Sequence, residues 1–114
     1  MSFRLARQYD PNGLMVYNQN NDEDPNNSWT QRVFDATYTL VKDLKAKGVS
    51  VDVVGMQMHL LSKFDPASTP PSKDGVVSAM RKLSDLGVAI EITELDVSIT
   101  RLSGGQADRL SQQA

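Results

Sequence analysis

Four side chains suited to chemistry lie where two apolar stretches of the sequence come to an end. Gln57 and His59 stand near the end of the first stretch, and Glu94 and Asp96 near the end of the second. A carboxylate can act as a nucleophile or as a general acid or base, and an imidazole can orient a carboxylate by hydrogen bonding. A glutamine side chain offers a donor and an acceptor to substrate hydroxyls. These residue types predict a site for a polar substrate, provided that the fold brings the two stretches together.

Three short apolar runs, separated by two amphipathic segments, indicate the elements that carry these residues. The predicted strands are Leu14–Tyr17, Val51–Leu61 and Val88–Leu95, and the predicted helices are Phe3–Tyr9, a segment from Ser28 to Lys47, and Lys73–Leu86. Strands that alternate with helices of this length predict an α/β fold with a parallel sheet and right-handed crossovers. The first run is apolar throughout, which predicts a strand buried on both faces.

Residues with known positional preferences set the predicted boundaries of the helices. Ser28, with Gln31 three residues later, has the pattern of an N-cap and capping box. Gly48 and Gly87 follow the predicted helices, where a glycine often ends a helix in the left-handed conformation. The segment Asn18–Asn27 is predicted as a polar loop; the residues from Ser98 onward are also polar, and the start of another helix is expected toward Ala114.

Alternation of side chains along a strand predicts which residues share a face of the sheet. In the second strand, Gly55, Gln57 and His59 are expected on one face. Met56 and Met58 are expected on the other, packed against helices. Because ligand sites of parallel α/β folds lie at the carboxyl ends of strands, Gln57 and His59 are placed where a site is expected.

The same alternation in the third strand places Ile90, Ile92, Glu94 and Asp96 on one face. Glu91 is then expected on the opposite face, toward the helix layer. If the second and third strands are neighbours in register, the imidazole of the second strand can reach the carboxylates of the third. This arrangement would hold the carboxylates by hydrogen bonding.

Structural interpretations of the same residues remain open on spacing alone. His59 would serve equally as a hydrogen-bonded structural residue, and Glu94 with Asp96 as a helix cap or a solvated loop start. A metal site built from these three residues has suitable ligand types but lacks a supporting spacing motif. Neither a cofactor nor a metal is predicted.

Composition narrows the class of protein and its partners. The chain has 114 residues, a net charge of −2 and no cysteine, which predicts a single domain over 1–114 without disulfides. The absence of a basic patch argues against a nucleic-acid partner. No apolar run approaches the roughly 20 residues that span a bilayer, so no membrane partner is expected. Residues 1–10 lack the pattern of a secretory signal.

Three segments together resemble glycoside hydrolase family 10. The sequence from Ile92 to Val97, Ile-Thr-Glu-Leu-Asp-Val, is similar to the strand-seven signature of that family. The sequence from Gly55 to Leu60, Gly-Met-Gln-Met-His-Leu, resembles its strand-six segment, and Tyr17-Asn18 resembles the strand-five segment. Order and spacing match over nearly the whole chain.

The resemblance implies a partial (β/α)8 TIM barrel that covers about strands five to seven. It implies endo-1,4-β-xylanase activity with retention, xylan or xylo-oligosaccharide as substrate, no cofactor, and an extracellular, secreted enzyme. Carried over by position, Glu94 is the nucleophile, and His59 and Asp96 are its hydrogen-bonded partners. Gln57 lies near the nucleophile, and Asn18 on the substrate side.

Two departures from the family pattern accompany this resemblance. Asn18-Gln19-Asn20-Asn21 replaces the common Asn-Asp-Tyr-Asn, so a tyrosine contact to substrate is lost. In the family the acid/base Glu ends strand four, and neither Glu23 nor Glu91 is a credible replacement for it. Residues 1–114 by themselves are therefore expected to hydrolyse xylan negligibly. Their three strands cannot close a barrel, which predicts open edges and possible self-association.

Two rival functions remain. One is a related (β/α)-barrel hydrolase that acts on another β-linked glucan. The other is a non-catalytic carbohydrate-binding or assembly unit, although Trp29 and three tyrosines offer few aromatic platforms for sugars.

Overall fold

A computed structural model describes residues 2–64 and 68–113 of the chain, which fold as strands alternating with helices. In chain order the elements are α1 (Ser2–Tyr9), β1 (Val16–Asn20), α2 (Gln31–Ala46), β2 (Val53–Leu61), α3 (Lys73–Ser84), β3 (Ala89–Ser98) and α4 (Gln106–Ser111). The strands form one parallel sheet in the order β1-β2-β3, with β2 in the centre. The predicted parallel α/β arrangement is confirmed, and a crossover helix joins each strand to the next.

The core lies between the helices and one face of the sheet. Val54 and Met56 of β2 are completely buried there, together with Val41 of α2 and Leu83 of α3. Burial of these side chains removes apolar area from water, which is the main favourable term in folding. Met56 therefore packs against helices, as predicted.

The first strand differs from its prediction in both position and burial. It runs from Val16 to Asn20 and includes residues of the predicted polar loop. Leu14 is 71% exposed and Val16 38% exposed, so the expectation of burial on both faces is wrong. Helices cover only one face of the sheet within the described residues, and Val16, on the other face, meets solvent.

The beginning of α2 also differs from its prediction. The helix starts at Gln31 with Thr30 as its N-cap, so the prediction of Ser28 at this position is wrong. The Asn27 side chain accepts a hydrogen bond from the Trp29 amide at 2.9 Å, and this turn delays the start of the helix. The predicted end of α2 at Gly48 is confirmed, whereas α3 ends at Ser84, two residues before the predicted Leu86. Gly48 and Gly87 both have positive φ, of 65° and 75°.

A β-bulge in β3 decides which of its side chains face the site. Met56 is in register with Ile92, but Gln57 is in register with Glu94, so Thr93 is an extra residue in the strand. An extra residue reverses the alternation beyond it. Ile92 thus shares the helix side of the sheet with Met56, whereas Glu94 shares the opposite face with Gln57.

The bulge corrects two predictions about β3. The prediction that Ile90 and Ile92 share a face with Glu94 is wrong, because it assumed unbroken alternation. The prediction that Glu91 faces the helix layer is also wrong, because Glu91 is in register with Gly55 on the uncovered face. We call this uncovered face, which carries Gln57 and His59, the inner face.

Both outer strands have edges that no other strand pairs with in residues 2–64 and 68–113. On the helix side of β3, Ile92 is 46% exposed and Leu95 is 65% exposed. Unpaired edges next to exposed apolar side chains favour association with other chains. None of the described helices is long and apolar enough to cross a membrane.

Candidate active site

His59 lies between two carboxylates at the carboxyl ends of β2 and β3. Its Nδ1 is 2.6 Å from Oδ2 of Asp96, and its Nε2 is 3.1 Å from Oε2 of Glu94. The register explains these contacts, because His59 pairs with Asp96 and the residue two positions earlier, Gln57, pairs with Glu94. The structure thus brings together three of the predicted site residues; their chemical roles stay predictions.

The two contacts favour a protonated imidazole. Two ionised carboxylates on opposite ring nitrogens require both nitrogens to donate, which only the imidazolium can do. The hydrogen bond with Asp96 raises the pKa of His59 above its usual value, against a smaller opposing effect of desolvation. The charges of Asp96 and Glu94 raise this pKa further.

The contacts of His59 leave no ring nitrogen with a free lone pair for a metal ion. In the part of the chain that the structure describes, no group of three or more His, Cys, Asp or Glu residues has a metal-binding arrangement. His59 therefore fits the role of an ion-pair partner for two carboxylates better than that of a metal ligand.

The other two predicted residues also lie on the inner face, at different depths. Gln57 lies beside Glu94 in the sheet. These two residues form one row across the strands, and His59 with Asp96 forms the next row toward the carboxyl ends. Asn18 is one row further from the carboxyl ends than Gln57, in register with Gly55. Its side-chain oxygen accepts a hydrogen bond from Thr93 Oγ1 at 2.7 Å, and so belongs to the bulge rather than to the His59 cluster.

Thr93 is the residue of this site that the strand prediction missed. Its hydroxyl contacts Asn18 and lies 3.4 Å from the carbonyl oxygen of Met56. A signal was present in the sequence, because apolar residues recur two apart at Ile90 and Ile92 but three apart from Ile92 to Leu95. A step of three in a strand of period two marks an inserted residue.

An open cleft of about 490 Å³ extends from His59 across the loops that follow β1 and β2. Asn21, Glu23 and Trp29 line it on one side, and residues 68–71 line it on the other. The Trp29 side chain is 74% exposed, which leaves its ring accessible to a ligand. Amide, carboxyl and aromatic groups around an open groove suit a ligand rich in hydroxyl groups.

The predicted polar loop after β1 contains three buried acids. Asp22, Glu23 and Asp24 are 0%, 6% and 3% exposed. The Asp24 carboxylate accepts hydrogen bonds from the Ser72 amide at 2.7 Å and from the Ser72 hydroxyl at 3.0 Å, which ties this loop to the start of α3. Burial alone would raise the pKa of Asp24, but these bonds and those from the amides of Asn26 and Asn27 lower it.

Asp22 has the opposite electrostatic environment. Neither of its carboxylate oxygens has a hydrogen bond of ordinary geometry among the described residues. Burial, and then the charge of Glu23, raise the pKa of Asp22 to about 7, and its own backbone amide and then the Thr37 hydroxyl offset only part of this rise. Burial also raises the pKa of Glu23, whose Oε2 lacks a partner among the same residues.

Comparison with protein families gives a match over the full chain. The model of glycosyl hydrolase family 10 matches residues 1–114. Endo-beta-1,4-xylanase Xyn10C from Cellvibrio japonicus is 37% identical over 88% of this chain, which spans 15% of that relative's length.

Solved structures with a similar fold include two further xylanases. Native xylanase 10B from Thermotoga maritima has a TM-score of 0.77 and 33% identity, over 97% of this chain and 31% of its own. The intracellular xylanase TsXylA from Thermoanaerobacterium saccharolyticum, in a mutant complex with xylotriose, has a TM-score of 0.73 and 34% identity. That match covers 98% of this chain and 30% of the other. The chain thus spans less than a third of each of these relatives.

Proposed function

The chain belongs to glycosyl hydrolase family 10, and we propose that the whole protein cleaves internal β-1,4-xylosidic bonds of xylan with retention of configuration. The observation that carries this proposal is the position of His59 between Glu94 and Asp96 on the inner face of parallel strands. A carboxylate held in this way at the carboxyl end of a barrel strand suits nucleophilic attack on a sugar.

The reaction follows from the chemistry of two carboxyl groups. A Glu94 oxygen attacks the anomeric carbon, and the glycosidic carbon–oxygen bond breaks to leave a glycosyl ester on Glu94. The leaving oxygen takes a proton from a second carboxylic acid. That group, as a base, then removes a proton from water, which attacks the anomeric carbon and frees the carboxylate of Glu94.

The imidazolium of His59 assists this reaction in two ways. It donates to Asp96 at 2.6 Å, which fixes its ring, and it presents its other nitrogen 3.1 Å from Glu94. Its contact with Glu94 holds that carboxylate in position for attack, while Gln57 and Asn18 contribute hydrogen bonds to the substrate.

We infer that the second carboxylic acid comes from outside residues 1–114. Glu23 makes no hydrogen bond or ion pair to His59, Glu94 or Asp96 among the described residues. Glu91 lies on the inner face in the row next to Glu94, but deeper in the sheet, away from the carboxyl ends of the strands where the site lies. Loss of general acid catalysis typically costs about 10²–10⁴-fold in rate. We therefore expect no measurable xylan hydrolysis from residues 1–114 alone; turnover that Glu94→Ala abolishes would contradict this.

The proposal is tested by trapping the covalent intermediate in the whole protein. A 2-deoxy-2-fluoro-xylobioside with a good leaving group should add one disaccharide to the protein, and peptide mapping should place the label on Glu94. The Glu94→Gln variant should remain unlabelled, and the Glu91→Gln variant should label normally. Labelling elsewhere, or none with active whole protein, would overturn the assignment of Glu94.

Substrate comparison separates the proposal from its two rivals. Hydrolysis of xylan with little hydrolysis of cellulose supports a xylanase, whereas the reverse supports a related β-glucan hydrolase. Saturable binding of xylo-oligosaccharides without turnover by the whole protein would support a non-catalytic carbohydrate-binding unit.

We also propose an extracellular location, because polymeric xylan cannot enter a cell. One similar structure is named as an intracellular xylanase, so membership of the family alone does not fix the compartment. Fractionation of the source cells, followed by detection of the protein in medium and lysate, tests this proposal.

A further inference from the structure

The bulge in β3 needs an explanation of its own, because the direction of Glu94 depends on it. If Thr93 were an ordinary residue of a regular strand, the side chain of Glu94 would lie on the helix side of the sheet, together with that of Ile92. A bulge also interrupts the ladder of hydrogen bonds between strands. Interactions elsewhere must therefore favour the bulged form over the regular strand.

The hydroxyl of Thr93 makes such an interaction across the sheet. It donates to Asn18 Oδ1 at 2.7 Å, and a carbonyl oxygen of β2, that of Met56, lies 3.4 Å away. Asn18 belongs to β1 and Thr93 to β3, so this hydrogen bond crosses the whole width of the central strand. It connects the inserted residue of β3 directly to β1, the strand at the other edge of the sheet.

Gly55 makes this crossing possible. A Cβ atom added at Gly55 would lie 2.7 Å from Asn18 Oδ1 and 2.7 Å from Thr93 Cγ2, closer than real Cβ contacts allow. Gly55 is not among the glycines with positive φ, so backbone conformation does not require a glycine there. A glycine inside a strand interior weakens the strand and often marks a close approach of other groups. The missing side chain of Gly55 leaves space for the Asn18–Thr93 hydrogen bond.

We propose that Asn18, Gly55 and Thr93 form one positioning unit that holds the bulge and thereby aims Glu94 at the anomeric carbon. This inference rests on the proposed function of Glu94. Thr93 and Gly55 act through Glu94 and are positioning residues. The unit stabilises one of two registers of β3, and only that register presents the carboxylate beside His59.

Two variants of the whole protein disturb this unit in different ways. Thr93→Val keeps the shape of the side chain but removes the hydroxyl, and Gly55→Ala places a methyl group between Asn18 and Thr93. Displacement of a reacting group by about 1 Å can cost 10²-fold, so each variant should lower kcat by about 10- to 100-fold. KM should change little, because the loss falls on the transition state.

The matched control is Thr93→Ser, which retains the hydroxyl and should retain most of the wild-type kcat. Each kcat is normalised to the number of active sites, counted by complete labelling with the 2-fluoro-xylobioside. This normalisation removes the effect of misfolded molecules, so a merely structural role would lower the number of sites and leave kcat per site unchanged.

The two proposals fail in distinguishable ways. Wild-type protein that hydrolyses xylan but labels at a residue other than Glu94 overturns both the nucleophile and its positioning unit. Wild-type protein labelled at Glu94, with Thr93→Val and Gly55→Ala at wild-type kcat per site, overturns the positioning unit alone. Loss of kcat per site in both variants, with recovery in Thr93→Ser, supports it.

Discussion

The two faces of the sheet in this chain have opposite properties. On the helix side, Val54 and Met56 are completely buried against α2 and α3. On the inner face, the side chains of His59, Glu94 and Asp96 are 45%, 46% and 58% exposed and contact one another through charges. One face thus supplies stability and the other supplies chemistry, and the bulge at Thr93 assigns Glu94 to the second face.

This separation predicts that substitutions on the two faces affect different measurements. The largest effect should come from Glu94→Gln in the whole protein. Removal of the nucleophile should lower kcat on xylan by roughly 10⁴-fold or more. Because Glu94 is half exposed, the free energy of unfolding should change by less than about 0.5 kcal/mol. Steady-state kinetics and denaturant unfolding measure the two quantities.

Glu91→Gln is the matched control for this prediction. Glu91 is also an exposed glutamate on the inner face of β3, but it pairs with Gly55 instead of Gln57. Its variant should keep a kcat close to that of the wild type. Equal losses from both variants would mean that position along the strand is irrelevant, and would contradict the assignment of Glu94 as the nucleophile.

The next largest effect should come from the helix side of the sheet. Leu83 is completely buried, and Leu83→Ala should reduce the free energy of unfolding of the whole protein by about 2–5 kcal/mol. The same change at Leu40, which is 39% exposed, should cost less than about 1 kcal/mol. Neither variant should alter kcat per labelled active site; a large loss in Leu83→Ala would show that the two faces are coupled.

A smaller effect, dependent on pH, should come from the buried acid Asp22. Its pKa is raised from 3.8 to about 7, so the folded state loses stability as pH rises from about 4 to about 7 and Asp22 ionises in its buried position. Asp22→Asn should therefore stabilise the whole protein above pH 7, by at most about 4 kcal/mol, and have little effect near pH 4. Unfolding curves at several pH values measure this.

Asp24→Asn is the control within the same loop and should have the opposite sign. The pKa of Asp24 is lowered, so its ionised form adds stability above its ordinary pKa, and that stability is lost as pH falls. Stabilisation by both variants at pH 8 would show that burial alone governs this loop and that the bonds from Ser72 contribute nothing.

The smallest predicted effect concerns association of residues 1–114 as an isolated chain. Ile92 and Leu95 expose apolar surface beside the open edge of β3. Leu95→Lys should shift the chain toward monomer in sedimentation velocity, whereas Thr100→Lys, at an exposed polar position, should not. A wild-type chain that sediments as a monomer at all concentrations would contradict this prediction.

The order of the elements could be read from the sequence because hydrophobic periodicity records burial directly. The runs around Val54 and Ile90, and the helical spacing between them, predict parallel strands and crossover helices. Gly48 and Gly87 mark helix ends because their conformations are local. The chemistry of His59, Glu94 and Asp96 was also visible, since residue type and strand end together suggest it.

The parts that sequence reasoning missed depend on contacts between distant segments. The Thr93 bulge is stabilised by Asn18, which lies 75 residues earlier, and a strict alternation rule therefore placed Glu91 and Glu94 on the wrong relative faces. The burial of Asp24 follows from Ser72, 48 residues later, so the loop was read only as polar. In both cases the local sequence gives no direct sign of the distant residue that it contacts.

The most direct test of the proposed site is an NMR titration of His59 in the whole protein with ¹³C-labelled histidine. The resonance is assigned by its loss in His59→Gln. We expect a pKa above 6.5 that falls in Glu94→Gln, and falls more in Asp96→Asn, because both carboxylates contact the ring. A pKa at or below 6.5 that Glu94→Gln leaves unchanged would show that Glu94 does not lie beside His59, and would contradict the proposed site.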